Sequence, residues 1–207
     1  MKLLPFIFPI LLISCANGGS DFQVDQEIIQ EYDSVRDLSS SNTAIYHSMV
    51  DNAFITIIDD DEQHLIENDS VLDLFEFVDT SSLKLPVICR GVVKDDTCYL
   101  GGGIAYGAGV GFELKIFDDS FEGEIWKLNK GLRTSNSEDY PESIDLKSIR
   151  QELIIDDTEN LNPEKLLTGK LTMESEPFYR EDETESHQCY LSVIFQCELR
   201  DGGYSKY

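Results

Sequence analysis

Four cysteines in the body of the chain, Cys89, Cys98, Cys189 and Cys197, set its redox chemistry. An even number of thiols permits two disulfides in an oxidising compartment. No C-x-x-C occurs, and the only histidines are His47, His64 and His187, so structural zinc is not expected. Cys189 and Cys197 flank a run without a turn residue. Read as one strand, it separates them by about 26 Å, while a disulfide needs Cα atoms within about 7 Å. Cys89 and Cys98 flank Lys94-Asp95-Asp96, which can reverse the chain. Two schemes remain open. In one, Cys89 and Cys98 bond across a hairpin and leave Cys189 and Cys197 as thiols. In the other, each bonds to one of the C-terminal pair, closing loops worth on the order of 4–5 kcal/mol in the chain-entropy model. The hairpin bond is preferred because its partners are local.

Carboxylates offer a second chemistry. Asp59-Asp60-Asp61-Glu62, Asp95-Asp96, Asp118-Asp119 and Asp156-Asp157 sit where strands are expected to end. Hard cations take oxygen ligands from such loops, so Ca²⁺ is the candidate metal, with Asp59, Asp61, Asp118 and Asp119 as first ligands. No D-x-D-x-D-G loop is present, which excludes an EF-hand. Glu122 and Glu124 point to one face of a strand, where paired carboxylates could hydrolyse a glycoside; alternating Glu is also the normal dress of a solvated strand. No G-x-S-x-G elbow occurs, and the histidines are expected at surfaces or turns. The sole tryptophan, Trp126, is expected in the core or half-buried. Tyr99, Phe121 and Trp126 are the candidate rim of a ligand groove, and Tyr140, Tyr179, Tyr204 and Tyr207 a further recognition rim.

The elements that must position these residues are mostly strands. Runs at 53–58, 71–78, 82–93, 104–117, 121–128, 149–155, 169–174 and 189–199 alternate or are rich in β-formers, punctuated by Gly, Asp and Asn. The stretch 104–117 reads as one strongly bent strand, with Gly107, Gly109 and Gly111 on a smooth face opposite an apolar one. Its G-x-G-x-G spacing is not a phosphate cradle. Pro163 to Leu167 can form a single helical turn. Ahead of the strands, Ile28, Tyr32 and Val35 recur at helical spacing, with Ser20 or Asp21 as cap and Arg36 near the far end. The fold expected is all-β: a two-sheet antiparallel sandwich, or second a closed β-barrel, preceded by a short tether and helix.

Composition narrows the partners. With 40 acidic and 16 basic residues and a formal charge of −24, the chain repels phosphate backbones, which argues against nucleic acid. At 41% hydrophobic and 10% aromatic residues, the body is globular.

The first residues carry an address. Lys2 precedes an apolar run, Leu3 to Ile13, whose helix would rise about 16 Å and fall short of a ~30 Å hydrocarbon core. Charge, apolar core and small residue is the order of a secretory signal. Leu12-Ile13-Ser14-Cys15 closes it and resembles a bacterial lipobox. The resemblance implies cleavage before Cys15 and a diacylglycerol on its thiol, each inserted CH₂ contributing about 0.8 kcal/mol. Ala16 stands where an inner-membrane lipoprotein typically has Asp, which implies an outer-membrane destination if the host has one. The organisation expected is a signal peptide over 1–14, a lipidated tether over 15–42 and one β-rich domain over 43–207. The function expected is a lipid-anchored envelope protein that binds a small ligand or an envelope protein without catalysis. A structural or adhesion module is the alternative, and a hydrolase with paired carboxylates a distant one.

Overall fold

The computed structural model describes residues 20–42, 53–59, 85–106, 108–117, 119–134, 139–181 and 183–202. In chain order the elements are β1 (Ser20–Asp21), β2 (Gln23–Val24), α1 (Ile28–Asn42), β3 (Ala53–Asp59), β4 (Leu85–Val87), β5 (Cys89–Lys94), β6 (Thr97–Tyr106), β7 (Ala108–Phe117), β8 (Ser120–Leu128), β9 (Leu132–Thr134), β10 (Ser143–Ile155), β11 (Leu166–Ser175), β12 (Phe178–Arg180), β13 (Ser186–His187) and β14 (Cys189–Asp201). The expected run at 71–78 lies outside the described residues.

The architecture is all-β and sandwich-like. One layer runs β1-β8-β7-β6-β5, the other β2-β10-β11-β14-β3-β4. Alternation drives the packing: Phe112, Leu114 and Ile116 of β7 and Leu191, Val193 and Phe195 of β14 all point inward and are buried. Phe112 and Phe195 stack between the layers with ring centroids 6.4 Å apart. The layers are not separate sheets, because long strands turn the corners. Ser143 to Lys147 of β10 pair with β8, whereas Ser148 to Ile155 pair with β11. A bulge between Ser148 and Arg150 marks the transfer and leaves Ile149 58% exposed. On the other side β14 pairs with β3 as far as Phe195, then with β5, in parallel, from Leu199. A small sheet of β13, β12 and β9 covers one end.

The N-terminal segment belongs to this body. Where β10 leaves β8, β1 takes its place, with Ser20 opposite Phe121. Gln151 seals the corner: its Nε2 donates to Ser20 Oγ (3.2 Å) and the Phe121 carbonyl (3.4 Å), and its Oε1 accepts from the Gly123 N–H (2.8 Å). Asp25, rather than Ser20 or Asp21, caps α1 by accepting from the Glu27 N–H at 2.9 Å. Ile28, Tyr32 and Val35 then bury themselves on Phe54 and Ile194, beside Ile154. Each such side chain contributes roughly 1.5–3 kcal/mol, so this helix is a layer of the fold and not a spacer.

Three local expectations are corrected. The stretch 104–117 is a hairpin, not one bent strand, since Tyr106 pairs with Ala108 and Ile104 with Val110. The helical turn is Thr158–Leu161, capped by Asp157, and residues 166–175 are strand. The preferred Cys89–Cys98 bond does not form. The β5–β6 turn at Asp95-Asp96 sets Cys89 opposite Gly102 and Cys98 opposite Val93, so the two are offset by about 13 Å along the hairpin. Cys89 bonds instead to Cys197, with Cα atoms 5.5 Å apart and a sequence separation of 108. That separation equals the register of the β14–β5 ladder, Leu199 opposite Gly91. The bridge therefore extends the ladder into the gap where β14 changes partners. Cys189 and Cys197 share one strand, as expected, and Cys98 and Cys189 are buried outside any disulfide.

Candidate functional site

The outer face of the β5–β8 layer gathers the residues most suited to recognition. Alternation along β8 puts Phe121, Gly123, Ile125 and Lys127 inward and Glu122, Glu124 and Trp126 outward. Register then builds rows across the face. Gly103, Gly111, Trp126 and Asp145 form one; Arg90, Gly101, Glu113, Glu124 and Lys147 form the next; Tyr99, Lys115 and Glu122 a third. The indole lies over β6 and β7, because a Cβ on Gly103 or Gly111 would collide with Trp126 Cζ2. Glycine is required here for close approach, as in the aromatic covering of a glycine-bearing sheet. The packing reading of the glycines thus describes Gly111, and Trp126 is half-buried, as expected.

The proposed rim is only partly assembled. Tyr99 and Trp126 share the outer face, but Phe121 is fully buried in the core and cannot line a surface groove. Sequence reasoning missed Gly103, Glu113, Asp145, Lys147 and Arg90. A hairpin folded about position 107 would have found Gly103 and Glu113 by pairing alone. Glu113 and Glu124 lie directly opposite one another, so their Cβ atoms are about 5 Å apart, with Lys147 next across β10. Both are half-buried on the outer face of the sheet. Two grooves among the described residues lie elsewhere, one along Arg150, Glu174 and Tyr190, the other along Lys130, Arg180 and Glu183.

The calcium candidates do not converge. Asp61 and Asp118 lie outside the described residues. Asp59 pairs with Cys189 at the start of β14, whereas Asp119 sits in the β7–β8 turn, near the strand's other end, about 40 Å along. Among the described residues, no three His, Cys, Asp or Glu side chains are grouped to hold a metal. Asp156, from another acidic pair, is buried for structural reasons. Its carboxylate accepts from the N–H groups of Asp157 and Thr168 and from Asn160 Nδ2.

His187 is buried rather than surface-exposed, a correction; it pairs with Glu183 (2.6 Å) and packs on Phe178 (5.7 Å between ring centroids). The ring of Phe178 also carries Lys127 Nζ at 4.6 Å. Nearby, Arg133 lies against Tyr179 (4.7 Å) and Tyr140 (5.8 Å), and its Nε donates to Tyr140 Oη. His47, His64, Tyr204, Tyr207 and Cys15 fall outside the described residues. Burial pushes the Cys98 thiol up to about 12, which removes it as a nucleophile at neutral pH.

Compared with known proteins, the chain matches no family model, no curated protein and no solved structure. Among the described residues no helix is long and apolar enough to cross a membrane.

Proposed function

We propose that this chain is a lipid-anchored protein of the cell envelope, acylated at Cys15 and directed to an outer membrane, which binds a small ligand or an envelope protein without transforming it. The observation that carries the binding reading is the outer face of the β5–β8 layer, where aromatic and charged side chains are only half-buried. There Trp126 covers Gly103 and Gly111, with Asp145 opposite it on β10 and Glu124 two residues before it on the same face of β8. A large, rigid amphipathic ring held in one place contributes contact area at low entropic cost. The compartment is supported by the Cys89–Cys197 bridge, since a disulfide closing so long a loop persists where thiols are oxidised. The acidic composition weighs against polyanionic ligands.

Trp126 is the only tryptophan, so its fluorescence reports on this face alone. Titration with solubilised envelope components should change that emission saturably, and Trp126→Ala should abolish binding while leaving the fold intact. Binding retained at full strength by Trp126→Ala would move the site elsewhere.

A further inference from the structure

We infer that this chain acquires its disulfide by exchange and is a client of a thiol–disulfide isomerase, because its fold excludes both pairings that its unfolded chain favours. The cysteines run in the order Cys89, Cys98, Cys189 and Cys197, and the bond joins the first to the last. In the reduced, unfolded chain the nearest thiols meet most often. Cys98 is 9 positions from Cys89, whereas Cys197 is 108 positions away. Loop closure then favours Cys89–Cys98 over Cys89–Cys197 by roughly forty-fold. Cys189 and Cys197, 8 positions apart, form a second local pair.

Neither local pair is compatible with the strands. The β5–β6 register offsets Cys89 and Cys98 by about 13 Å. Cys189 and Cys197 lie about 26 Å apart along β14. A Cys89–Cys98 bond is therefore a transient that must open before the hairpin can form. The exchange is balanced. The Cys197 thiolate attacks Cys89 Sγ, the Cys89–Cys98 S–S bond breaks, and Cys98 leaves as a thiolate that takes up a proton. No electrons are gained or lost. Making the transient does need an oxidant, a disulfide-bearing oxidase or oxidised glutathione, and this step alone rests on the oxidising compartment proposed above. A chain oxidised at both local pairs holds one disulfide too many, and a dithiol must reduce it.

The folded state closes the way back. Cys98 is 2% exposed, and burial raises its thiol to about 12, so it supplies no thiolate to attack the bridge. Cys189 is fully buried at the opposite end of β14 from Leu199. Cys89 and Cys197 are themselves buried, which shields the bridge from external thiols.

The test is oxidative refolding of the full chain carrying Cys15→Ser, unfolded in urea, reduced, and diluted into mixed reduced and oxidised glutathione. Acid-quenched samples are mapped for disulfide linkage. A Cys89–Cys98 species is expected first, giving way to Cys89–Cys197, and a catalytic amount of disulfide isomerase should speed that conversion several-fold. In oxidised glutathione alone the local bonds should persist. Cys98→Ala with Cys189→Ala should reach the final bond directly and no longer respond to the isomerase. A parent chain whose first bond is Cys89–Cys197, or whose Cys89–Cys98 species matures no faster with the isomerase, overturns the inference, whether or not the variant folds. The compartment is read separately, from protein isolated from cells with its thiols blocked. Reduced Cys89 and Cys197 there would remove the envelope reading and leave the order of bonds in refolding untouched.

Discussion

The outer face of the β10–β11–β14–β3 sheet presents Ile154, Ile194 and Phe54, and α1 lies on them. The outer face of the β5–β8 sheet presents Tyr99, Glu113, Glu124 and Trp126, and Trp126 is the cover that its glycines receive. Both faces start from the same strand alternation. They differ in which residues fill the outward positions. β-Branched and aromatic groups need another element to remove them from water, whereas glycine and charge do not. A helix-covered face is a second core, and its side chains contribute stability. An open face with one fixed aromatic ring is a surface that a partner can use. The difference also explains why α1 folds at all: its stripe of Ile28, Tyr32 and Val35 meets a prepared apolar seat, which stabilises it more than helix propensity does.

Substitutions can break this contrast, the largest effects first. Removing the seam that both layers share, by Cys89→Ala or Cys197→Ala, should cost on the order of 4 kcal/mol in urea denaturation, with the double variant no worse than either single one. Tyr32→Ala strips the helix-covered face of a ring packed 6.0 Å from Phe54 and should cost about 3 kcal/mol, leaving Trp126 emission unchanged. Gly111→Ala acts on the open face. Its Cβ would meet the Gly102 carbonyl and the indole, so about 2 kcal/mol is expected, this time with an altered Trp126 spectrum. The pairing of readouts is the point: a Tyr32 variant that shifted Trp126 emission would show that the two faces are not independent. At the small end, Lys170→Ala breaks a 2.7 Å pair with Glu31 that is part-exposed on both sides, and about 0.5 kcal/mol or less should be lost.

A pH titration sharpens the same contrast at the core. Burial raises the Cys98 thiol from 9.0 to about 12 in the folded state. Between those values the unfolded chain loses its proton first, so the stabilisation is complete below pH 9 and declines as pH rises toward 12. Cys98→Ala or Cys98→Ser should flatten that alkaline limb of the stability curve.

Much of the framework was legible because alternation survives in the sequence. The strands at 53–58, 121–128 and 189–199 and the helical stripe Ile28, Tyr32 and Val35 are all present in the fold. What alternation cannot supply is register. Gly101 to Gly103 and Gly109 to Gly111 each suit a strand, so the reversal between Tyr106 and Ala108 leaves no break in period, and the hairpin went unread. The same gap misled the disulfide. A turn at Asp95-Asp96 was anticipated, but its two-residue span, with Asp95 and Asp96 at φ 50° and 60°, decides which residues face each other. Ser20 to Val24 are too short and polar to register as strands. They pair only because the corner left by β10 offers unpaired backbone. For the candidate site, Tyr99 and Trp126 were legible as members of a candidate rim, named together with Phe121, which lies in the core. The neighbours of Tyr99 and Trp126 come from three other strands, β5, β7 and β10, and become visible only once the rows are aligned.

Non-reducing intact-mass and peptide mapping of the native protein most directly tests the proposal that acyl chains on Cys15 hold this disulfide-closed β-sandwich outside the cytoplasm. The account predicts a mature chain starting at acylated Cys15, recovered in the membrane fraction, with Cys89 linked to Cys197. A soluble cytosolic chain with an unmodified Cys15 and all thiols reduced would contradict it.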